Sequence, residues 1–308
     1  MVEKWFEDKF ERRNLSYIKK RAPYENKYVY GPASKRLSIT NWLIIINILV
    51  YLVLIFLKAS KVLSEAQILN FFALKASSLF SGNLIPLLTS MFTHLWLPHL
   101  FFNIISLFFI GNFLERIIGR KKFLGFYLIS GLFAGFFYSI LSYFFGTAGL
   151  GAKIFINPDV YSVGASGAIF GLAGLLAILT PFMKVYLIIG PIIALIISII
   201  LGNYASLGII TNEILTLMNF VIMFYIFLSI FSIFSYNKYF RKIALPIEMN
   251  FWILPIVAIA PLIIIGLFVE LPIGNTAHLG GIISGLIYGI YLKNKYKRKT
   301  ELISKVFR

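Results

Sequence analysis

Long apolar segments alternate with short polar ones along most of the chain. Eight of these segments are apolar and long enough to cross a bilayer, since a membrane-spanning helix needs roughly 17–25 such residues. They are about Trp42–Leu57, Leu95–Leu114, Phe123–Phe145, Gly164–Met183, Val185–Leu201, Ile214–Phe234, Phe251–Val269 and Thr276–Leu292. The pattern therefore predicts an all-α polytopic membrane protein with eight spans.

Composition supports this class. Of the 308 residues, 59% are hydrophobic and only 13% are charged, whereas soluble domains carry about 25% charged residues. The chain contains no cysteine, which excludes disulfide frameworks and thiolate metal sites.

The positive charge is distributed very unevenly. If the N-terminus is cytoplasmic and the chain crosses eight times, 25 of the 29 Lys and Arg lie on the cytoplasmic side, and only Lys58, Lys61, Lys75 and Lys153 lie outside. This is the positive-inside pattern of a cell-membrane protein. It places both termini in the cytoplasm and indicates that the net charge of +17 marks membrane topology rather than nucleic-acid binding.

The same pattern divides the chain into three parts. Residues 1–39 form a basic cytoplasmic arm that we expect to lie against anionic lipid headgroups. Residues 40–292 form the membrane domain, and residues 293–308 form a basic cytoplasmic tail.

Four polar residues fall at the outer ends of the predicted spans: His94, His99, Ser166 and His278. Ionisable groups in membrane segments are costly and are functional by default. At 100° per residue, His94 and His99 point about 140° apart and form no chelating pair, whereas His99 and Asn103 share a helix face. Because these residues lie at the same depth, Ser166 is predicted to face a polar cluster near the outer surface of the membrane.

Glycines recur along two of the predicted helices. They are Gly167, Gly171 and Gly174 in the fourth span and Gly281, Gly285 and Gly289 in the eighth. Small residues at this spacing let membrane helices approach closely, so we expect these two helices to pack together with His278 opposite Ser166.

The residues leave several interpretations open. The stretch "GASG" around Ser166 is compatible with helix packing alone. A zinc site built from the three histidines lacks an H-E-x-x-H motif and a nearby acidic ligand. The aspartates available for a Ser–His–Asp triad are Asp8 and Asp159, and neither lies in a predicted span. A Ser–His dyad without metal or cofactor fits the residues better.

Three motifs together resemble the rhomboid family of intramembrane serine proteases. They are "HLWLPHLFFN" with His94, His99 and Asn103, "GASGAIFG" with Gly164, Ser166, Gly167 and Phe170, and "AHLGGIISG" with His278, Gly281 and Gly285. They occur in the family's order, and "LLTSMFTH" and "GNFLERIIG" match the flanking segments. The resemblance covers about residues 39–292.

This resemblance implies a catalytic site and a substrate class. Ser166 would be the nucleophile and His278 its general base. His99, Asn103 and the Ser166 backbone N–H would form the oxyanion hole, and Phe170 would stack on His278. The substrates would be other membrane proteins, cut in or near their spanning helices on the outer side of the bilayer; the oligomeric state stays open.

Two features depart from the family pattern. The family's usual Trp–Arg pair in the first loop is replaced here by "LIPLLTS". A six-helix rhomboid core has one helix between the serine and histidine helices, whereas this chain has three, so residues 185–235 are predicted to be an inserted helix pair. A non-catalytic rhomboid-like protein that binds membrane helices remains an alternative, and a transporter is a weaker one.

Overall fold

The computed structural model describes residues 37–233, 237–267 and 274–307, so residues 1–36 of the predicted cytoplasmic arm lie outside them. The helices, in chain order, are α1 Ile39–Ala59, α2 Glu65–Phe72, α3 Ala76–Phe80, α4 Ile85–Thr89, α5 Leu97–Ile118, α6 Arg120–Phe145, α7 Gly149–Phe155, α8 Ser166–Leu179, α9 Ile189–Ser206, α10 Asn212–Ile233, α11 Lys238–Arg241, α12 Leu254–Gly266, α13 Asn275–Lys295 and α14 Lys297–Val306. Four short strands complete the fold: β1 Leu74–Lys75, β2 Tyr161–Ser162, β3 Lys184–Ile188 and β4 Pro246–Asn250.

The protein is a mostly helical, multi-pass membrane protein. Within the described residues, five helices are long and apolar enough to cross a bilayer: α1, α5, α6, α9 and α10. The serine helix α8 has only 14 residues, and the apolar helical segment Phe251–Pro261 is also short. Helix α13 has 21 residues, but its glycines and its C-terminal lysines make it less apolar than these five. The total of eight spans therefore stays a prediction.

Besides the helices of this all-α fold, the described residues contain two small antiparallel sheets that the sequence pattern did not indicate. Strand β1 pairs with β2, and β3 pairs with β4. The predicted fifth span was also placed too early, because Val185 lies in β3 and the helix begins at Ile189. Val, Tyr, Leu and Ile suit a strand as well as a membrane helix. The pairing partner lies about 60 residues away, where no local pattern reveals it.

The β3–β4 ribbon pairs the strand that precedes the inserted helix pair with the strand that follows it. Leu187 faces Ile247 in the ribbon, and the Phe251 N–H donates to the Met183 carbonyl at 2.9 Å. The two ends of the insertion therefore lie side by side. Helices α9 and α10 pack mainly on each other, with a 2.6 Å hydrogen bond from Ser198 Oγ to Asn219 Oδ1 between them.

Helix α8 lies at the centre of the bundle, packed against α6 and α13. Its leucines Leu172, Leu175, Leu176 and Leu179 are almost fully buried. Lipid tails are as apolar as leucine, so close packing between helices rather than hydrophobicity stabilises such a position.

A buried carboxylate fixes the start of α1. Glu115 of α5 accepts hydrogen bonds from the backbone N–H groups of Ile39 and Thr40 and from the Thr40 hydroxyl, each at 2.8 Å. The first N–H groups of a helix lack intrahelical partners and carry partial positive charge. The buried Glu115 carboxylate therefore supplies hydrogen-bond acceptors to the first N–H groups of α1, and these donors compensate the buried negative charge.

The predicted C-terminal tail is largely helical, although Arg308 lies outside the described residues. Helix α13 continues past the expected end of the span at Leu292 to Lys295. The short helix α14 then packs Thr300 and Ile303 inward, against a groove that Leu179 and Leu292 help to line.

Candidate active site

Ser166 and His278 lie within hydrogen-bonding distance. Ser166 is the first residue of α8. Two residues earlier, Gly164 has a φ of +114°, which favours glycine and turns the chain into the helix. His278 belongs to the first turn of α13. Its Nε2 lies 2.8 Å from Ser166 Oγ. The serine is partly exposed, while His278 is buried.

The glycines of α8 and α13 make this approach possible. A methyl group on Gly281 would lie 2.1 Å from the Gly167 carbonyl oxygen, and one on Gly285 would lie 2.2 Å from the Gly171 carbonyl oxygen. Both distances are far below van der Waals contact, so the two backbones touch only because side chains are absent. The predicted contact between the serine and histidine helices is observed.

Phe170 and His278 are stacked. Their ring centroids are 4.3 Å apart and their planes are inclined by 22°. Among the described residues, His278 Nδ1 has no hydrogen-bond partner. The described aspartate, Asp159, instead accepts a hydrogen bond from Ser77 and lies 3.3 Å from Lys75. A third, acidic member of a triad is therefore missing from this part of the structure.

His99 and Asn103 face the turn that precedes Ser166. A side chain added to Gly164 would lie 2.6 Å from His99 Cε1 and 3.6 Å from Asn103 Nδ2. The Gly164 N–H donates to the Ser90 carbonyl at 2.8 Å and so fixes the turn. Asn103 Nδ2 donates to the His99 carbonyl at 2.9 Å, one helical turn earlier. One N–H of the Asn103 amide is thus engaged, and its second N–H is a further potential donor.

The predicted separation of His94 from His99 was wrong. Helix α5 begins at Leu97, so His94 lies in the irregular segment before the helix rather than on it. The helical angle of 140° consequently does not apply. The two imidazole rings are 5.0 Å apart, edge to face, and His94 is 1% exposed.

Several residues that support the site escaped the sequence analysis. Ser130 and Ser284 share a 2.7 Å hydrogen bond between α6 and α13. The Met91 side chain occupies the space beside Gly131. Trp96 lies 6.1 Å from His99, ring centroid to ring centroid. Its spacing of three residues from His99 is the one local signal that pointed to this contact.

In the described part of the chain, no three His, Asp or Glu side chains come together as a group that could hold a metal ion.

A family model, Rhomboid domain, matches residues 81–295. The chain is also similar to curated proteins over part of its length, and three of these are described here. It shares 32% identity over 140 residues with Rhomboid protease AarA of Providencia stuartii, covering 44% of this chain and 49% of that protein. It shares 35% identity over 142 residues with Rhomboid protease GluP of Bacillus subtilis, covering 45% of this chain and 25% of that protein.

The third relative is RHOMBOID-like protein 12, mitochondrial, of Arabidopsis thaliana, with 31% identity over 130 residues, covering 41% of this chain and 39% of that protein. The matches thus span between a quarter and a half of the relatives' lengths. The family model, in contrast, covers more than half of this chain and includes every candidate site residue. The chain belongs to the rhomboid family.

Proposed function

We propose that the protein is an intramembrane serine endopeptidase that hydrolyses peptide bonds in or near the spanning helices of other membrane proteins. The observation that carries this proposal is the 2.8 Å distance between Ser166 Oγ and His278 Nε2. A serine hydroxyl is a weak nucleophile unless a base adjoins it. Rhomboid proteases among the similar proteins support the same reaction class.

The reaction follows from these two groups. Ser166 Oγ attacks the carbonyl carbon of the peptide bond while its proton passes to His278 Nε2. The tetrahedral intermediate then collapses, the C–N bond breaks, and the imidazolium gives its proton to the leaving amine. Water, deprotonated by the same imidazole, then attacks the acyl carbon of the acyl-enzyme. The bond from this carbon to Ser166 Oγ breaks, the imidazolium returns its proton to Oγ, and the second product leaves with a new carboxyl group.

The remaining site residues are assigned to stabilisation and orientation. The negative charge on the former carbonyl oxygen is stabilised by His99, the free N–H of Asn103 and the Ser166 backbone N–H. Phe170 holds the imidazole plane, a role that an aspartate has in a triad. Gly164 and Gly167 keep the space around Ser166 free of side chains, and His94 supports His99.

We place the catalytic groups toward the outer face of the membrane. Helix α8, with 14 residues, is about 21 Å long, shorter than the hydrocarbon core of about 30 Å. If its far end reaches the cytoplasmic boundary, Ser166 lies below the outer surface at a depth that water can reach. The distribution of Lys and Arg supports eight spans with both termini in the cytoplasm.

Cleavage of a fluorogenic transmembrane substrate by purified protein in detergent tests the activity. We expect Ser166→Ala and His278→Ala to abolish cleavage while the protein stays folded. His99→Ala and Asn103→Ala should lower kcat by about 10²–10³-fold each. A serine-reactive fluorophosphonate should label the peptide that contains Ser166. Cleavage by Ser166→Ala at the wild-type rate would overturn the assignment, and a folded wild-type protein that binds substrate without cutting would indicate the non-catalytic alternative.

Cysteine labelling tests the orientation, because the chain has no cysteine of its own. Lys153→Cys should react with a membrane-impermeant maleimide on intact cells, whereas Lys184→Cys should react only after lysis. The reverse result would invert the proposed topology without affecting the catalytic assignment.

A further inference from the structure

The segment that leads into Ser166 is held from two sides. It comprises residues 156–164 and connects the short helix α7 to the serine helix α8. On one side, its strand β2 pairs with β1, and the Pro158 carbonyl accepts a 3.1 Å hydrogen bond from the Ser77 N–H. On the other side lies the C-terminal half of α6. Because Ser166 comes two residues after this segment, the contacts that hold the segment also affect the position of the serine.

Two buried hydroxyl groups of α6 bind this segment. The Tyr138 hydroxyl donates to the Val160 carbonyl at 3.0 Å, and the Ser142 hydroxyl donates to the Ile156 carbonyl at 2.8 Å. Tyr138 and Ser142 are each 0% exposed, and their spacing of four residues places them on one face of α6. A buried hydroxyl group without an acceptor costs free energy, so movement of the segment away from α6 is unfavourable.

The backbone at Ile156 needs this support. Its φ of +65° and ψ of +145° lie in a region that branched residues rarely adopt, and such a conformation persists only where the surrounding contacts hold it. Ser142 binds the Ile156 carbonyl, and Gly146 leaves room for it, because a methyl group on Gly146 would lie 2.0 Å from this oxygen. The end of α6 is therefore shaped around one carbonyl of the segment.

Tyr138 also connects the segment to the histidine helix. Its side chain belongs to a small apolar cluster that includes Leu74 of β1 and has Ile156 and Ala277 packed against it. Ala277 is the residue before His278 in the first turn of α13. One cluster therefore contacts both the segment that leads to the serine and the helix that carries the histidine.

We propose that Tyr138 and Ser142 are positioning residues that hold Ser166 within hydrogen-bonding distance of His278. They act by fixing residues 156–164 against α6, and Tyr138 also supports the start of α13. The expected effect on cleavage rests on the proposed function, whereas the effect on the placement of Ser166 beside His278 does not.

Removal of each hydroxyl group tests the kinetic consequence. Tyr138→Phe keeps the ring and removes only the hydroxyl, and Ser142→Ala removes the other hydroxyl. Ser139→Ala is the matched control, because Ser139 is equally buried and its hydroxyl donates within α6, to the Gly135 carbonyl at 2.9 Å. We expect each test variant to lower kcat by about 10- to 100-fold with little change in KM. The control should retain the kcat of the wild type.

Hydrogen exchange measures how firmly the segment is held, whether or not the protein cleaves a substrate. Loss of one hydrogen bond to the segment should allow it to open more often. We expect the backbone amides of residues 156–164 to exchange about tenfold faster in Tyr138→Phe and Ser142→Ala than in the wild type. The exchange of these amides in Ser139→Ala should equal that of the wild type.

Thiol reactivity measures the placement of residue 166 beside His278. Ser166→Cys introduces a single thiol, because the chain has no cysteine. A thiol beside an imidazole ionises more readily and reacts faster with iodoacetamide. In the Ser166→Cys background, Tyr138→Phe and Ser142→Ala should each slow alkylation by about fivefold, and Ser139→Ala should leave its rate unchanged.

Three outcomes would overturn the proposal. The first is unchanged exchange and unchanged alkylation in both test variants. The second is faster exchange of residues 156–164 with wild-type kcat and alkylation, since the segment would then be held without positioning the serine. The third is an equal loss in Ser139→Ala, which would indicate general destabilisation of α6. If one test variant fails to fold, as judged by its thermal unfolding midpoint, the other decides the matter.

A separate outcome distinguishes this proposal from the proposed function. If the wild type does not cleave, but alkylation in the Ser166→Cys background still depends on Tyr138 and Ser142, the protease assignment is wrong and the positioning role is supported.

Discussion

The imidazole rings of His94 and His99 are in contact, edge to face, with 5.0 Å between their centroids. His94 is buried in the irregular segment before α5, while His99 lies in the first turn of that helix. His99 in turn adjoins Gly164, two residues before Ser166. His94 thus packs behind a residue that we place in the oxyanion hole.

This contact changes the expected effect of His94→Ala. If His94 were a helix residue that points away from His99, His94→Ala would be expected to have a milder effect than His99→Ala. In the folded protein, alanine leaves a cavity beside His99 and frees its ring to move. Because a displacement of about 1 Å at a catalytic group can cost on the order of 10²-fold in rate, we expect kcat to fall between about 10- and 100-fold with little change in KM. His94→Phe, which keeps a ring in place, should retain more activity; wild-type kcat in His94→Ala would show that His99 is held by other contacts.

The glycine contact between α8 and α13 predicts that even one methyl group inactivates the protein. Gly281→Ala and Gly285→Ala would each place a carbon against a backbone carbonyl, and Gly281→Val and Gly285→Val would do so more severely. The helices must separate, which moves His278 away from Ser166. Cleavage should fall by about 10²-fold or more.

Gly125→Ala in α6 is the matched control for these substitutions, since nothing lies within 4 Å of the added carbon. It should leave activity unchanged. Each variant's thermal unfolding midpoint separates a displaced helix from an unfolded bundle. Full activity in both alanine variants would mean that the two backbones are not in contact.

The Glu115 carboxylate predicts a stability effect at the far end of the bundle. Glu115→Gln replaces an acceptor of three hydrogen bonds by an amide that has one acceptor oxygen and cannot satisfy all three donors. Loss of charged hydrogen bonds to a buried helix end should lower the free energy of unfolding by about 1–3 kcal/mol. Thermal or denaturant unfolding in detergent measures this decrease in the free energy of unfolding. Glu301→Gln, on the exposed side of α14, is the control and should not change the unfolding midpoint. Equal unfolding midpoints for Glu115→Gln and Glu301→Gln would contradict the prediction.

The β3–β4 ribbon predicts that the inserted helix pair can be removed. Strands β3 and β4 already pair up to Ile188 and Pro246, so a two-residue turn can join them in place of residues 189–245. Hairpins of this kind form with Asn-Gly turns. We expect the shortened protein to insert in the membrane and keep the fluorophosphonate reactivity of Ser166. A shortened chain that expresses but loses this labelling would show that α9 and α10 support the catalytic core.

Much of this protein was determined by local sequence. The apolar segments defined most of the long helices because every backbone polar group in lipid must be paired within its own segment. The glycine spacing predicted the contact between α8 and α13, since residues three or four apart share one helix face. The same spacing brought Ser166 and His278 to one level, and the motifs around them indicated the family.

Other features were decided only by tertiary structure. The strand at Lys184–Ile188 exists because Pro246–Asn250 returns beside it. The contact of His94 with His99 depends on a helix that starts at Leu97 rather than two residues earlier. The Lys122 ammonium group lies 5.2 Å from the centroid of the Tyr296 ring, although the two residues are far apart in the sequence. The strand pairing depends on a partner distant in the sequence, and the histidine contact depends on the exact residue at which a helix begins. A periodic pattern carries information only about the faces of a single element.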